Sequence, residues 1–288
     1  MSTVAQSVSR PRTRRKLGLL EALLLGVLVL NALGVIVPLL LMLISALKPT
    51  PEIFASPFAL PKTWAIENFA KVWQSGRFDL YFRNSILITL GSELLILGFS
   101  AMAGYALGRY RFRLNDTLYL FFLAGLMFPA KLALVPLFVQ LKGMGLLNSH
   151  LGLILVYAAG GIPAAVFILT GFFRALPSDL DNAARIDGAS EFQVFWRVML
   201  PLVRPQLAIV AIYTAIPIWN DFLLPLAFLQ SPELKTVPQG LSVFFGEYAT
   251  DYGPLFAGLT LAALPLIVLY LLLSEQFIKG LTAGATKG

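Results

Sequence analysis

Residues 178–201 read SDLDNAARIDGASEFQVFWRVMLP. Four acids and two arginines fall within this short stretch, and long apolar runs flank it on both sides. A chain that leaves an apolar environment for one short, charged, ordered segment and then returns has the layout of a membrane protein. What the stretch means therefore depends on what surrounds it.

The surroundings are unusually greasy. Of 288 residues, 58% are hydrophobic, only 13% are charged, and mean hydropathy is +0.79. An average soluble protein carries roughly 25% charged residues. Six apolar runs stand out, at 19–47, 84–108, 117–140, 151–173, 206–229 and 254–275. Each reaches the ~20 residues that a helix needs to cross a hydrocarbon core. Helix is the expected conformation because the bilayer interior offers no partner for free backbone groups. Pro38, Pro129, Pro136, Pro163, Pro217, Pro225 and Pro265 lie inside these runs. In a membrane, neighbouring helices re-satisfy the groups that proline frees. The fold class predicted is an all-α membrane protein with six transmembrane helices.

The layout divides into a basic tail at 1–16, a first span with an outer loop at 17–83, a five-helix core at 84–275 and a tail at 276–288. Fourteen Lys and Arg fall in 1–16, 109–116, 174–205 and 276–288, against seven in 48–83, 141–150 and 230–253. That bias predicts cytoplasmic termini and a cytoplasmic segment 174–205. Arg14-Arg15 faintly resembles a twin-arginine signal, but the run that follows is too long for a signal h-region, so the first span reads as retained. In 48–83, ENFAKVW predicts a small interfacial helix with Trp64, Phe69 and Trp73 at headgroup level. The net charge of +7 fits basic loops better than nucleic-acid binding.

Several chemistries are excluded. With no cysteine and one histidine, His150, there is no disulfide framework, thiolate metal site or Cys–His pair. His150 reads as a loop residue at a membrane interface. The G-x-x-x-x-G-K-[ST] phosphate loop is absent, as is a G-x-S-x-G elbow. The chain is expected to bind no cofactor and to be no enzyme. Uphill transport would need an ion gradient or a partner.

Within 178–201 the punctuation is regular. Ser178-x-x-Asp181 and Ser190-x-x-Gln193 both fit a capping box. Gly188 suits a left-handed helix C-cap between them. Leu180, Ala183 and Ala184 share a small face, expected to point away from the membrane. Phe192, Phe195, Trp196 and Met199 form a bulky stripe suited to packing under the spans. Periodicity alone leaves this open between a docking element and an ordinary amphipathic connection.

The residues themselves carry a resemblance. NAARIDGASEFQVFWRVMLPLVRP is similar to the EAA motif of binding-protein-dependent ABC importer permeases, with Ala183, Ala184, Asp187, Gly188, Ala189, Phe195, Leu200, Pro201 and Pro205 in matching positions. WNDFLLPL and FIKGLTAGATKG resemble the carbohydrate, maltose-type branch. The resemblance spans nearly the whole chain. It implies a type I importer permease (MetI-like) fold in a bacterial or archaeal cell membrane. It also implies a homologous second permease, a dimer of ATP-binding subunits that use ATP and Mg²⁺, and an extracytoplasmic sugar-binding protein. Residues 182–189 would then seat in the ATPase. Asn182 stands where the motif usually has Glu, which removes a charge from that contact. Charge-assisted hydrogen bonds are about twice as strong as neutral ones, so the contact is expected to be weaker. Asp179 and Asp181 are the candidates to replace it.

Ionisable groups at bilayer depth are functional candidates, because each costs about 2.5–3.5 kcal/mol on insertion scales. Glu93, Lys131 and Asp221 all fall about 12–14 Å below the outer surface at 1.5 Å per residue. A Glu93–Lys131 ion pair is one reading. A substrate path lined by Asn220, Asp221, Glu93 and Lys131 is the other. A stand-alone ion-coupled transporter, using Glu93 or Asp221, is the alternative function.

Overall fold

The computed structural model describes residues 18–74, 76–128, 130–244 and 251–285. The basic tail 1–16, Pro129 and the last three residues of the C-terminal tail lie outside the described residues. Every regular element among those described is helical.

Four helices are long and apolar enough to cross a membrane singly: α1 (Leu19–Ala46), α4 (Phe78–Arg109), α7 (His150–Ala175) and α13 (Tyr252–Ala285). Between α1 and α4 lie two short helices, α2 (Thr50–Ala55) and α3 (Glu67–Gln74), the latter covering the ENFAKVW segment. α1 is apolar all round and exposed over nearly its whole length; only Ser45 and Ala46 at its end are buried. That is the profile of a span at the rim of a bundle.

Two runs depart from the straight spans the sequence predicts. The third becomes α5 (Asn115–Leu126) and α6 (Leu134–Gly143), joined through a 3₁₀ turn at Ala130–Ala133 and bent by 81°. The fifth becomes α10 (Arg204–Asn220) and α11 (Leu223–Phe228), broken at Asp221 and Phe222, and a short helix, α12 (Val237–Leu241), follows. The apolar pattern continues across both breaks, so hydropathy alone does not register them. α4 also begins at Phe78, six residues before the apolar run. His150 is the first residue of α7, with its Nε2 3.1 Å from the Leu234 carbonyl, and Ser149 caps the helix by accepting from the Gly152 N–H at 3.1 Å.

The centre of the bundle is the α4–α7 pair. The two helices run parallel and close: Gly91 meets Ile154, Ile96 meets Gly161, Gly104 meets Leu169, and Gly108 meets Phe173. A Cβ on Gly104 would sit 3.0 Å from Leu169 Cβ and 3.2 Å from the Thr170 amide nitrogen. Small residues are what let helix backbones approach this closely in a membrane. α5 packs on α7, α10 on both α4 and α13, and α1 on α13.

At the end where α1 finishes, buried amides sew the loops together. Asn68 donates to the Ala46 and Lys48 carbonyls at 3.0 and 2.9 Å, and Asn84 donates to those of Glu233 and Lys235 at 2.8 and 2.9 Å. Lys48 is fully buried and donates to the Ser56 carbonyl at 2.8 Å. α4 and α7 both finish at the opposite end, where the segment opened by Ser178 begins.

Candidate coupling loop and translocation path

The segment after α7 folds as two helices in an angle, α8 (Asp179–Ile186) and α9 (Glu191–Leu202). Gly188 lies at φ +82°, the left-handed conformation the turn requires. Its N–H donates to the Arg185 carbonyl at 3.1 Å, and the Ala189 N–H donates to Ala184 at 3.0 Å. These two bonds make a Schellman cap. Ala184 and Ala189, the residues such a cap brings together, pack against the core. At Ser190 the expected capping box is present: Ser190 Oγ accepts from the Gln193 N–H, and Gln193 Oε1 accepts from the Ser190 N–H at 2.9 Å.

The first capping box is not formed. Ser178 has helical backbone angles and its side chain caps nothing. Asp181 turns inward instead, to an arginine 72 residues earlier in the chain. The side chains of Arg109 and Asp181 are 7% and 6% exposed. Arg109 Nε donates to one carboxylate oxygen at 3.3 Å, and an Arg109 terminal nitrogen is bonded to the other. Its remaining donors reach the carbonyls of Phe173, Leu176 and Pro177 at 3.2, 2.7 and 3.1 Å. Those carbonyls lie at and just past the end of α7, where Phe173 also accepts from the Leu176 N–H and Pro177 from the Leu180 N–H, both at 3.4 Å. Asp181 is therefore unavailable to replace the missing Glu charge at 182. Asp179 is exposed and free of that engagement.

Arg185 closes the next link. Its Nε and one terminal nitrogen donate to the two Glu191 oxygens at 2.8 and 3.1 Å, and its other terminal nitrogen to Asp181 at 3.4 Å and Asn182 Oδ1 at 3.3 Å. Tyr110, next to Arg109, donates its hydroxyl to Glu191. Hydrogen bonds from Arg185 and then Tyr110 hold the Glu191 carboxyl below the ordinary carboxylate range. Bonding to Glu191 holds the Arg185 guanidinium up. The Tyr110 hydroxyl is pushed up by burial first and by Glu191 next.

The bulky stripe splits. Val194–Met199 is a π turn, whose i→i+5 spacing puts Val194 and Met199 on one face. Val194, Phe195 and Met199 are buried against α4 and α7, with the Phe195 ring 5.1 Å from that of Tyr105. Phe192 and Trp196 remain exposed at 71% and 48%. Pro201 supplies no N–H to the turn before it, which loosens the α-helical ladder there. The small face of α8 also divides: Leu180 and Ala183 are exposed while Ala184 packs inward. Asn182, Asp187 and Gly188 are exposed. A polar cleft of about 690 Å³ opens beside α8, with Asn182, Arg185, Arg111, Arg174 and Asp116 in its wall.

The candidates for the path are scattered. Glu93 is buried and faces Thr214 of α10; the Thr214 hydroxyl donates to the Val210 carbonyl, and neither Glu93 oxygen receives a hydrogen bond from the described residues. Lys131 is exposed on the 3₁₀ turn after α5. The Glu93–Lys131 pair is therefore not formed, because equal depth says nothing about which way a side chain faces. Asp221 ends α10, accepts from the Leu223 N–H at 3.1 Å and from the Tyr157 hydroxyl of α7 at 2.9 Å. It holds the break together from both sides. Asn220 is exposed and lines a largely apolar cleft of about 640 Å³ with Trp219, Phe222, Ser242 and Leu259. Of the four candidates, only Asn220 faces it.

Sequence reasoning counted Arg109 only as a basic loop charge, and it passed over Tyr110, Arg185, Glu191 and Tyr157 as partners. The side chains of Arg109, Tyr110 and Tyr157 meet partners 64 to 81 residues away, a separation no local motif records.

Residues 100–282 match the family described as binding-protein-dependent transport system inner membrane component. The chain is 40% identical over 261 residues to the diacetylchitobiose uptake system permease protein NgcG of Streptomyces coelicolor, covering 90% of this chain and 86% of that one. It is 35% identical over 257 residues to the arabinooligosaccharides transport system permease protein AraQ of Bacillus subtilis, covering 87% and 90%. Its fold matches a crystal structure of a bacterial ABC transporter involved in the import of the acidic polysaccharide alginate, with a TM-score of 0.76 over 94% of this chain and 100% of the matched one, at 23% identity. The family match runs from within α4 through the capped loop and both broken spans into α13, and with it the chain belongs to the binding-protein-dependent transport system inner membrane components.

Proposed function

We propose that the chain is a transmembrane permease subunit of an ATP-driven carbohydrate importer, itself non-catalytic. The observation that carries this is the loop 178–193: Schellman-capped at Gly188, boxed at Ser190, and presenting Asn182, Ala183 and Asp187 outward. A loop that only connected two spans would not need to be this fixed. Residues 182–189 seat in a separate ATP-binding subunit, which uses ATP and Mg²⁺. The full assembly adds a second, homologous permease, a second ATP-binding subunit and an extracytoplasmic sugar-binding protein. Both termini lie in the cytoplasm of a bacterial or archaeal cell, in line with the charge bias of the loops. Carbohydrate as substrate is supported by relatives named for diacetylchitobiose uptake and arabinooligosaccharide transport.

Closure of the ATPases drives the cycle only if the loop makes different contacts in the two states, since a ligand shifts an equilibrium by its differential affinity alone. On the substrate side, Asn220 and the aromatic rings of Trp219 and Phe222 form the part of the path that suits a sugar. An amide bonds hydroxyls, and an aromatic face packs the apolar face of a ring. Glu93, Lys131 and Asp221 act around that path rather than in the cleft.

Reconstitution separates this from an ion-coupled carrier. The tagged chain, purified from its own cells, is expected to bring down an ATP-binding subunit and a second permease identifiable by mass spectrometry, and to take up oligosaccharide into liposomes only with ATP. Gradient-driven uptake by the chain alone would contradict the proposal.

A further inference from the structure

Arg109, Asp181, Arg185, Glu191 and Tyr110 form a closed circuit. It starts and ends on neighbouring residues at the end of α4 and passes through both halves of the loop. Asp181 belongs to α8 and Glu191 to α9, so each half is tied to α4 separately. The two acids balance the two arginines, and the inner pair is almost wholly buried. Removing one partner from such a pair leaves an uncompensated charge, which holds the geometry far more firmly than an exposed ion pair does. Arg109 also binds three carbonyls at the end of α7. α7 in turn is seated on α4 through Gly104 and Gly108, without room for a Cβ to spare.

The other side of the loop is built differently. α9 contains the π turn, and it meets α10 at a bend of 73° around Val203. The arginine at this junction, Arg204, makes no ion pair among the described residues. One side of the loop is fastened by charge and close packing. The other is fastened by the chain, by the backbone hydrogen bonds around Val203 and by apolar contact.

We propose that the circuit makes loop 178–193, α4 and α7 one rigid body, with Arg109 as its positioning residue, and that α10 pivots against this body at Leu202–Arg204. The inference rests on the reading of the loop as an ATPase-docking element and adds which spans receive its motion. A push on α8 moves α4 and α7 directly. It reaches α10 through the pivot at one end and through the contacts α10 makes along α4 and α7, which include the Tyr157–Asp221 hydrogen bond at the break.

The chain has no cysteine, so introduced cysteines are unique labelling sites within it. Spin labels at Phe192→Cys, 71% exposed in the loop and outside the docked residues 182–189, and Leu90→Cys, 64% exposed on α4, report the rigid body. Phe192→Cys with Tyr213→Cys, 59% exposed on α10, reports the pivot. Electron–electron distances are measured in the assembled complex in nanodiscs, with partner cysteines blocked beforehand. Samples without nucleotide are compared with samples trapped by ATP and vanadate. The 192–90 distance is expected to stay fixed and the 192–213 distance to shift. A nucleotide-dependent change in the first, or none in the second, overturns the proposal.

Arg109→Gln is expected to make the 192–90 distance nucleotide-sensitive, with Arg109→Lys, which keeps charge but loses the fork, falling between. A fixed distance in an assembled Arg109→Gln complex removes Arg109 from the role. Should that variant not assemble, Glu191→Gln opens the exposed half of the circuit without touching the buried pair, and it is expected to broaden the same distance distribution; an unchanged distribution counts against the circuit. Failure of any ATP-binding subunit to join the unmodified chain overturns the docking reading and this proposal with it.

Discussion

At residue 182 the chain carries an amide whose Oδ1 accepts from Arg185 at 3.3 Å. Its neighbour Asp181 faces inward, which leaves the exposed Asp179 as the remaining candidate in α8 for the charge that the related motif places at this position. Asn182→Glu should restore a charge-assisted contact to a basic partner. Hydrogen bonds to charged groups contribute about 1 kcal/mol more than neutral ones, which corresponds to roughly fivefold in affinity. Pull-down of the ATP-binding subunit is expected to be retained or tightened by this change, and loss of assembly would count against docking through α8. Glu191 yields a second expectation. Its carboxyl is held below the ordinary range in the folded protein. Its stabilising contribution is therefore complete above the ordinary value of about 4.3 and is lost as pH falls through the depressed folded value. Because Glu191 is exposed, the effect is screened by salt. Amide exchange of residues 188–193, corrected for intrinsic rates, should stay level from neutral pH down to about 5 and rise only in more acid solution. Glu191→Gln should abolish that step.

Among the elements, what could be read from the sequence was whatever is decided locally. α1, α4, α7 and α13 are legible because twenty or so apolar residues in a row have few other uses. The Gly188 cap and the Ser190 box are legible because a cap needs only residues within one turn. The Ser178 box was expected on the same grounds and failed, because Arg109 competes for Asp181 from the end of another helix. The breaks in the third and fifth spans were missed because proline and glycine are tolerated inside membrane helices, so their presence does not say where a helix stops. Asp221 marks its break only once Tyr157 and the Leu223 amide are seen around it. The α4–α7 contact makes its own prediction. Gly104→Val puts branched carbon where Leu169 and the Thr170 backbone already sit. Overpacking of this kind costs about 1–3 kcal/mol. The purified protein should melt several degrees lower, whereas Gly98→Val, at a position with nothing within 4 Å, should leave the melting temperature unchanged.

As a whole, the molecule is a set of spans with one charged, well-fastened loop at one end and a cleft beside a broken helix near the other. Under the proposed function, its energy enters through that fastened end from a separate ATP-binding subunit. The central claim is that α8 is held by an ATP-binding subunit, and a contact measured at α8 tests it most directly. Ala183 is exposed on α8 in a cysteine-free chain. Ala183→Cys carrying a short photo-crosslinker, irradiated in native membranes and analysed by mass spectrometry, is expected to join a protein bearing the G-x-x-x-x-G-K-[ST] signature, with the yield changing when ATP and vanadate are added. Adducts confined to lipid, or to proteins without a nucleotide-binding signature, would contradict it.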